Sequence, residues 1–389
     1  MASCAIVCFL TSGSAGGPQN VVAAPKYGKV GPKWRVDLRP AIGSLPLGRV
    51  VGHGHETQGR PVSSLWFLDD NRIVATFVIR EGKPSLSSRE ALDASSALRL
   101  RAIFLDAASG QITGTLSWPT SSRFARIIAT HEGRFVTQTG SGLTLYSADL
   151  TEVRKLALPA TEASWTSHSS PTGKNILFLS GGLGTISPVP WVWVDADKLQ
   201  VVLSWEDART GWIGISDDKI AMTTCTWFHE CEPGLRVRGL ATPWKTIVPT
   251  LPTYEPRTTP RPQFVNDDRL LLLGPHAELV RTDGTVVFVE KQFSGGCWSD
   301  GVLPSAVGSR FVVPACKLKG KVSALDVGGS QLLQRIFLYD VPFDRTSFVL
   351  DVEGPAVKGL TQFAVSPDGT RLAILNDEAL EVLQLPPLK

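Results

Sequence analysis

The segment Phe363-Ala-Val-Ser-Pro-Asp-Gly-Thr-Arg-Leu-Ala-Ile374 constrains the fold most, because weaker copies of it recur along most of the chain. Each copy reads as a short apolar strand, a tight polar turn, usually a basic residue, and a second apolar strand. A unit that recurs every few tens of residues dictates the architecture before any other feature is weighed. Aligned on the turn, the copies are Leu65–Ala75, Ile127–Val136, Ser167–Phe178, Ile213–Ala221, Phe264–Leu272, Pro304–Val313 and the segment above. Asp, Asn and Gly recur in these turns because they tolerate the left-handed backbone of a tight hairpin.

A second hairpin follows nearly every copy, as in Ala102–Ile112, Leu143–Val153, Trp191–Val202, Leu279–Phe288 and Ile336–Phe348, with Leu235–Ile247 the weakest. Four short strands per unit, repeated around a ring, predict an all-β, seven-bladed β-propeller. Six or eight blades are also compatible, since the sixth unit is irregular. The seventh unit stops after Glu378–Leu385 with no fourth strand, while Lys33-Trp-Arg-Val-Asp-Leu-Arg39 is a lone alternating strand ahead of the first unit. Placing that strand at the outer edge of the last blade closes the ring and hides an exposed edge.

Composition narrows the alternatives. Apolar residues make up 43% and charged ones 19% of 389 residues, which excludes a disordered chain. A net charge of +3, with no basic run, gives no nucleic-acid footprint. Beyond the extreme N-terminus no apolar run is long enough to span a bilayer. Sustained helical periodicity is confined to Ser87–Leu98. Residues 1–15, with Cys4–Leu10 as an apolar core, read as a secretory signal lacking its basic n-region. Residues 16–32 then read as a flexible lead-in and 33–389 as a single propeller domain. A periplasmic or secreted monomer is expected, with a cytoplasmic protein as the alternative.

Ser366-Pro-Asp-Gly-Thr-Arg-Leu-Ala373 resembles the repeat core of WD40-like, TolB-type and YVTN-type propellers. The third copy, Ser170-Pro-Thr-Gly-Lys174, departs at Asp, and the Trp-Asp and Gly-His pairs of true WD40 blades are absent from the expected strand ends. The resemblance covers residues 33–389 as architecture and brings no catalytic residue with it. Such families are mostly binding platforms, and fold alone does not assign function.

In a four-stranded blade, the first-to-second and third-to-fourth turns share one face of the ring. Here they are uniformly tight. The segments expected on the opposite face are long: Pro40–Val62, Arg80–Leu98, Gly181–Pro190, Thr226–Gly234, Thr250–Pro262 and Lys317–Gln334. Long loops on a rigid scaffold are where binding residues concentrate, although insertion drift would give the same pattern.

Candidate binding residues on that face are His53, His55 and Glu56 of Gly52-His-Gly-His-Glu, Trp227, His229 and Glu230, and Trp298 with Asp300. The His/Glu set has donor types that suit zinc. No second cluster at ligand spacing accompanies it, so it reads as an exposed polar loop with no metal and no cofactor. Trp227 and its neighbours either present an aromatic hot spot or fold down to cap the blade. His131, His168 and His276 read as isolated loop or strand-end residues. Cys225, Cys231, Cys297 and Cys316 are compatible with two disulfides, Cys225–Cys231 and Cys297–Cys316, or with unpaired buried thiols. Trp66, Trp165, Trp191, Trp193, Trp205 and Trp212 lie in alternating strands and are expected to pack between blades.

No phosphate loop, nucleophile elbow, His-Glu-x-x-His pair or calcium loop is present in the sequence. The carboxylate pairs Asp69/Asp70, Asp217/Asp218 and Asp267/Asp268 fall at equivalent turns, which points to a structural role. The expected function is therefore a non-enzymatic binding module for a protein, peptide or glycan. A propeller enzyme (hydrolase, lactonase or dehydrogenase) and a cytosolic WD40-like scaffold are the alternatives.

Overall fold

A computed structural model describes residues 25–43, 50–51, 55–56, 62–80, 98–122, 124–159, 165–180, 185–209, 211–225, 231–247, 261–273, 277–290, 303–318, 332–343, 345–355, 357, 362–376 and 378–388. The strands form seven blade sheets and one two-stranded ribbon, Val50–Val51 against His55–Glu56. Blade 1 runs Val62–Asp69, Arg72–Arg80, Leu98–Asp106 and Ile112–Pro119, each strand antiparallel to the next. Blades 2 to 5 repeat this order. Sequence thus predicts the blade number and strand order correctly.

Blade middles are buried on both faces, so their strands lose the usual polar alternation. The second strand of blade 3, Asn175–Ser180, is buried throughout, whereas the outermost strand of blade 2, Glu152–Ala157, is almost entirely exposed. Between each pair of neighbouring blades lies a separate apolar cluster. Leu177, Trp191 and Trp193 meet Ile213, Ile220 and Met222 between blades 3 and 4. Phe311, Val313 and Tyr339 meet Leu271 and Leu279 between blades 5 and 6. Trp191 and Trp193 are fully buried, in keeping with the inter-blade role expected of them. Trp205 and Trp212 are only half-buried, and their faces carry the Arg238 and Arg261 guanidiniums at 4.6 and 4.0 Å.

An N-terminal strand closes the ring. Strand β2 (Trp34–Asp37) pairs antiparallel with Ala379–Gln384 and supplies the missing outer strand of blade 7. Arg35 reaches Glu381 across this pair at 3.1 Å. Trp34 continues over the seam, where its indole Nε1 donates to Ala107 O of blade 1 at 3.1 Å. The Trp34 ring fills the space beside Gly110, whose φ is +76° and where a Cβ would sit 2.6 Å from the ring. Any other residue at 110 strains the backbone and displaces the tryptophan together.

Part of the stretch read from sequence as a flexible lead-in is ordered. Strand β1 (Lys26–Val30) lies parallel to Arg345–Pro355 and extends blade 6 to five strands. Its first four residues are exposed, which erased the apolar signal on which the sequence reading relied. The helix candidate Ser87–Leu98 lies outside the described residues except for Leu98, which begins a strand. The short helix α1 (Arg39–Ile42) follows β2 and tucks Ile42 into the core between blades 7 and 1.

A buried ion pair within blade 6 carries hydrogen bonds across to blade 7. Arg310 is fully buried, and its Nε donates to Asp340 Oδ1 at 2.6 Å. Its Nη1 donates to the carbonyls of Gly369 (3.1 Å) in blade 7 and Pro386 (2.6 Å) near the C-terminus. Removing one member of a buried pair strands the other, at a cost of about 3–5 kcal/mol. Arg310→Met is expected to lower unfolding stability by that amount in urea denaturation. Arg310→Lys should recover little, because one ammonium cannot reproduce the planar fork.

Candidate binding channel and its two mouths

The repeated turn motif explains itself in hydrogen bonds. In blade 7, Ser366 Oγ donates to Asp368 Oδ1 at 2.6 Å and accepts the Arg371 amide at 2.9 Å. Asp368 also accepts the amide and hydroxyl of Thr370, each at 2.9 Å. Gly369 adopts φ +72° so that its amide can bond Ser366 O at 2.8 Å. Blade 3 keeps the serine, with Ser170 Oγ accepting the Asn175 amide at 3.1 Å. Ser216, Asn266 and Ser305 do equivalent work in blades 4, 5 and 6. The Ser-Pro dipeptide fades between copies, yet an oxygen acceptor persists at its first position.

Burial alone would raise the Asp368 carboxyl. The Ser366 and Thr370 bonds and the nearby Arg371 outweigh it and hold the group below the usual aspartate range. Asp70, in the facing turn of blade 1, is pushed the other way by burial, partly countered by the Asp368 amide it accepts at 3.0 Å.

That Asp368–Asp70 contact belongs to a chain of bonds around the turn face. Gly133 N donates to Leu68 O across blades 1 and 2 at 2.9 Å. His131 Nδ1 lies 3.0 Å from Thr172 O between blades 2 and 3. Thr172 Oγ1 donates to Asp217 Oδ1 at 2.7 Å, and the Asp217 amide donates to Asp267 Oδ1 at 3.0 Å. Val307 N donates to Pro367 O at 3.3 Å. The structural role expected of the Asp pairs is thus realised at Asp69, Asp70, Asp217 and Asp267. Asp69 is held by Arg72 Nε at 2.8 Å.

The first strands of all seven blades line a central channel of about 610 Å³. Arg126 opens its strand at the loop-face end, and Ser167, His168 and Gln263 line the channel further along theirs. Arg126 Nη2 donates to Ser167 Oγ at 2.9 Å, and Ser167 Oγ donates to Gln138 Oε1 at 3.3 Å. Ile128, Ile215, Phe264 and Val365 add apolar lining. The turn-face mouth carries Asp70, Glu132 and His131, with the exposed Val307 on its rim.

His53, Trp227, His229, Glu230, Cys297, Trp298, Asp300 and His276 fall outside the described residues. His55 and Glu56 occupy the second strand of the small ribbon. Segments read as long loops are partly strand. Thr185–Asp195 and Cys231–Gly239 begin earlier than expected, because extra ladder bonds extend the third-to-fourth hairpin of blade 3 and the middle hairpin of blade 4. Cys225 and Cys231 face each other as register partners across that hairpin. Cys316 lies opposite Gln334 in blade 6.

His168, read as incidental, lines the channel, and His131 lies at the junction of blades 2 and 3. Arg126 was missed altogether. It lies one residue ahead of the aligned copy Ile127–Val136, and an arginine opening a first strand does not single it out, since Arg261 does the same in blade 5. Among the described residues no three His, Cys, Asp or Glu side chains converge as a metal-ligand set, and no helix is long and apolar enough to cross a membrane.

No family model matches the chain, and no curated protein matches it in sequence. Solved structures do match in shape. The chain is similar to acylaminoacyl peptidase from Pyrococcus horikoshii, with 10% identity and a TM-score of 0.53 over 84% of this chain and 52% of that one. It is also similar to a chain of the Mitotic Checkpoint Complex, with 11% identity and a TM-score of 0.50 over 100% of both chains. At such identities the likeness shows the fold alone, and the chain spans about half the length of the peptidase. With the seven sheets, these likenesses define a seven-bladed β-propeller.

The Asp368 geometry has a pH signature. A carboxylate held below its unfolded value stabilises the fold above the unfolded value, and that contribution fades as pH falls through the folded one. Asp368→Asn is expected to lower the melting temperature by about 1–2 °C at pH 7, equivalent to about 1 kcal/mol. The gap between variant and parent should narrow below pH ~4, read by thermal melts across pH.

Proposed function

We propose that this propeller is an exported, non-enzymatic binding module that recognises a protein, peptide or glycan through its loop face. The observation that carries the reading is the asymmetry of the two faces. On the turn face, short hairpins are tied to one another by the inter-blade bonds described above. On the opposite face, strand ends such as Arg80 and Leu98, or Leu318 and Leu332, are joined by long segments. Segments of that length on a rigid ring are suited to presenting recognition side chains. Trp227, His229 and Glu230 connect Cys225 to Cys231, and Trp298 and Asp300 precede the first strand of blade 6.

Export is supported by the apolar N-terminal segment and by the cysteine register. Directly opposed residues of an antiparallel pair have Cα atoms about 4.5–5.5 Å apart, within the span of a disulfide. A Cys225–Cys231 bridge would pin the base of the Trp227 segment. In this reading the protein acts as a monomer and needs no cofactor.

Two measurements test the proposal. Intact mass before and after alkylation should show loss of about 15 residues and two fewer hydrogens per bridge; an unprocessed chain with free thiols would instead make it a cytosolic scaffold. Trp227→Ala should weaken capture of the partner from native secreted material with little change in melting temperature. A large melting-temperature loss with unchanged capture would assign Trp227 to capping the blade.

A further inference from the structure

On the turn face, side chains of blade 2 donate across the seam with blade 3. Arg134 Nη1 donates to Asp197 O at 3.5 Å, and Arg154 Nη1 to Lys198 O at 2.9 Å. Gly173 of blade 3 lies so close to blade 2 that a Cβ there would collide with the Thr130 carbonyl. The seam therefore has no slack beside the next residue, His131.

The two ring nitrogens of His131 have different tasks. Nδ1 lies 3.0 Å from Thr172 O, and a carbonyl oxygen only accepts, so Nδ1 carries a hydrogen. Nε2 faces Asp197 Oδ2 at 3.5 Å. In a neutral ring protonated at Nδ1, Nε2 is itself an acceptor, and an ionised carboxylate accepts only. Two acceptors so placed repel until a proton lies between them. Imidazolium facing carboxylate supplies one, and so does neutral imidazole facing carboxylic acid. The pair therefore titrates as a unit.

The surrounding charges leave that proton to this pair. Glu132 Oε1 is 3.9 Å from Nε2, but its side chain is 82% exposed and screened by water. The Asp197 side chain is 27% exposed, and among the described residues His131 is the donor that meets its carboxylate. Arg134 reaches the Asp197 backbone oxygen instead. Asp195 is engaged by the Lys198 amide at 3.0 Å and ammonium at 3.4 Å, and Asp217 accepts the Thr172 hydroxyl at 2.7 Å. Burial raises the Asp197 carboxyl, helped by the Asp195 and Glu132 charges and opposed by His131 and Arg134.

We infer that His131 and Asp197 bind one proton between them as pH falls through the histidine range, and that this proton latches blades 2 and 3 together. His131 and Thr172 also line the channel, so the latch sets how firmly its turn-face rim is held. The device stands on this seam alone and does not depend on the reading given for the loop face.

Thermal melts of the parent, His131→Asn, Asp197→Asn and the double variant, from about pH 8 to about pH 5.5, test the inference. The asparagine of His131→Asn keeps a donor for Thr172 O and removes the titrating ring. At about pH 5.5 each single variant should melt about 1–2 °C below the parent, and the double variant no lower than either. At about pH 8 that coupling should vanish. Glu132→Gln should leave the pattern unchanged. Should His131→Asn fold poorly, hydrogen exchange over residues 165–180 in the parent and in Asp197→Asn carries the test. Corrected for intrinsic rates, exchange should slow about fivefold on acidification in the parent alone. Coupling or exchange that is flat with pH, or a pH response that disappears in Glu132→Gln, would overturn the latch.

Discussion

The structure depends on packing one twisted sheet against the next around a closed circuit. Each blade has two faces, and each is buried only because a neighbour covers it. No blade is a self-sufficient unit, since its core lies between it and the next blade. A circuit of this kind has one vulnerable joint, where the two ends of the chain meet. Here that joint is spanned three times: by β2 in the sheet of blade 7, by the Trp34 indole on blade 1, and by the Asp368–Asp70 contact on the turn face. The Arg310 clamp holds the last residues against blade 6. Sheet pairing, aromatic burial and hydrogen bonding thus converge on one region.

The repeat was legible in sequence because its chemistry is local. A turn that needs an oxygen acceptor at one position and a left-handed glycine three residues later leaves a visible mark, as at Ser366 and Gly369. Ring closure was legible because a lone strand and a missing strand match. Strand β1 was not, since an exposed strand added to an outer edge carries no apolar alternation. Nor was the channel. Asp70 and Arg126 lie on two blades, and the curvature of the ring rather than any spacing along the chain brings them to one channel. Inter-blade bonds such as Thr172 to Asp217 were hidden for the same reason. The register of Cys225 with Cys231 agrees with the local pairing weighed from sequence, because both residues flank one short connection.

The two mouths of the channel differ in how they are built. At the turn face, carboxylates already serve as acceptors for amides of the neighbouring blade, so their charge is fixed in place by the scaffold. At the loop face, Arg126 is steadied through side chains, by Ser167 and behind it Gln138. One end of the pore is therefore defined by backbone geometry and the other by a relay of side chains. Substitution can remodel the second more freely than the first.

The parallel pairing of β1 with blade 6 has a consequence for how the molecule is made. Residues 26–37 are synthesised long before their partners, Phe348–Val352 and Ala379–Val382. Contacts so distant in sequence are slow to form, because the intervening loop must be closed before they repay its entropy. During translation the two leading strands must therefore wait, unpaired, while the outer edges of blades 6 and 7 are still to come. Pairing across that separation completes the outer edges of both blades.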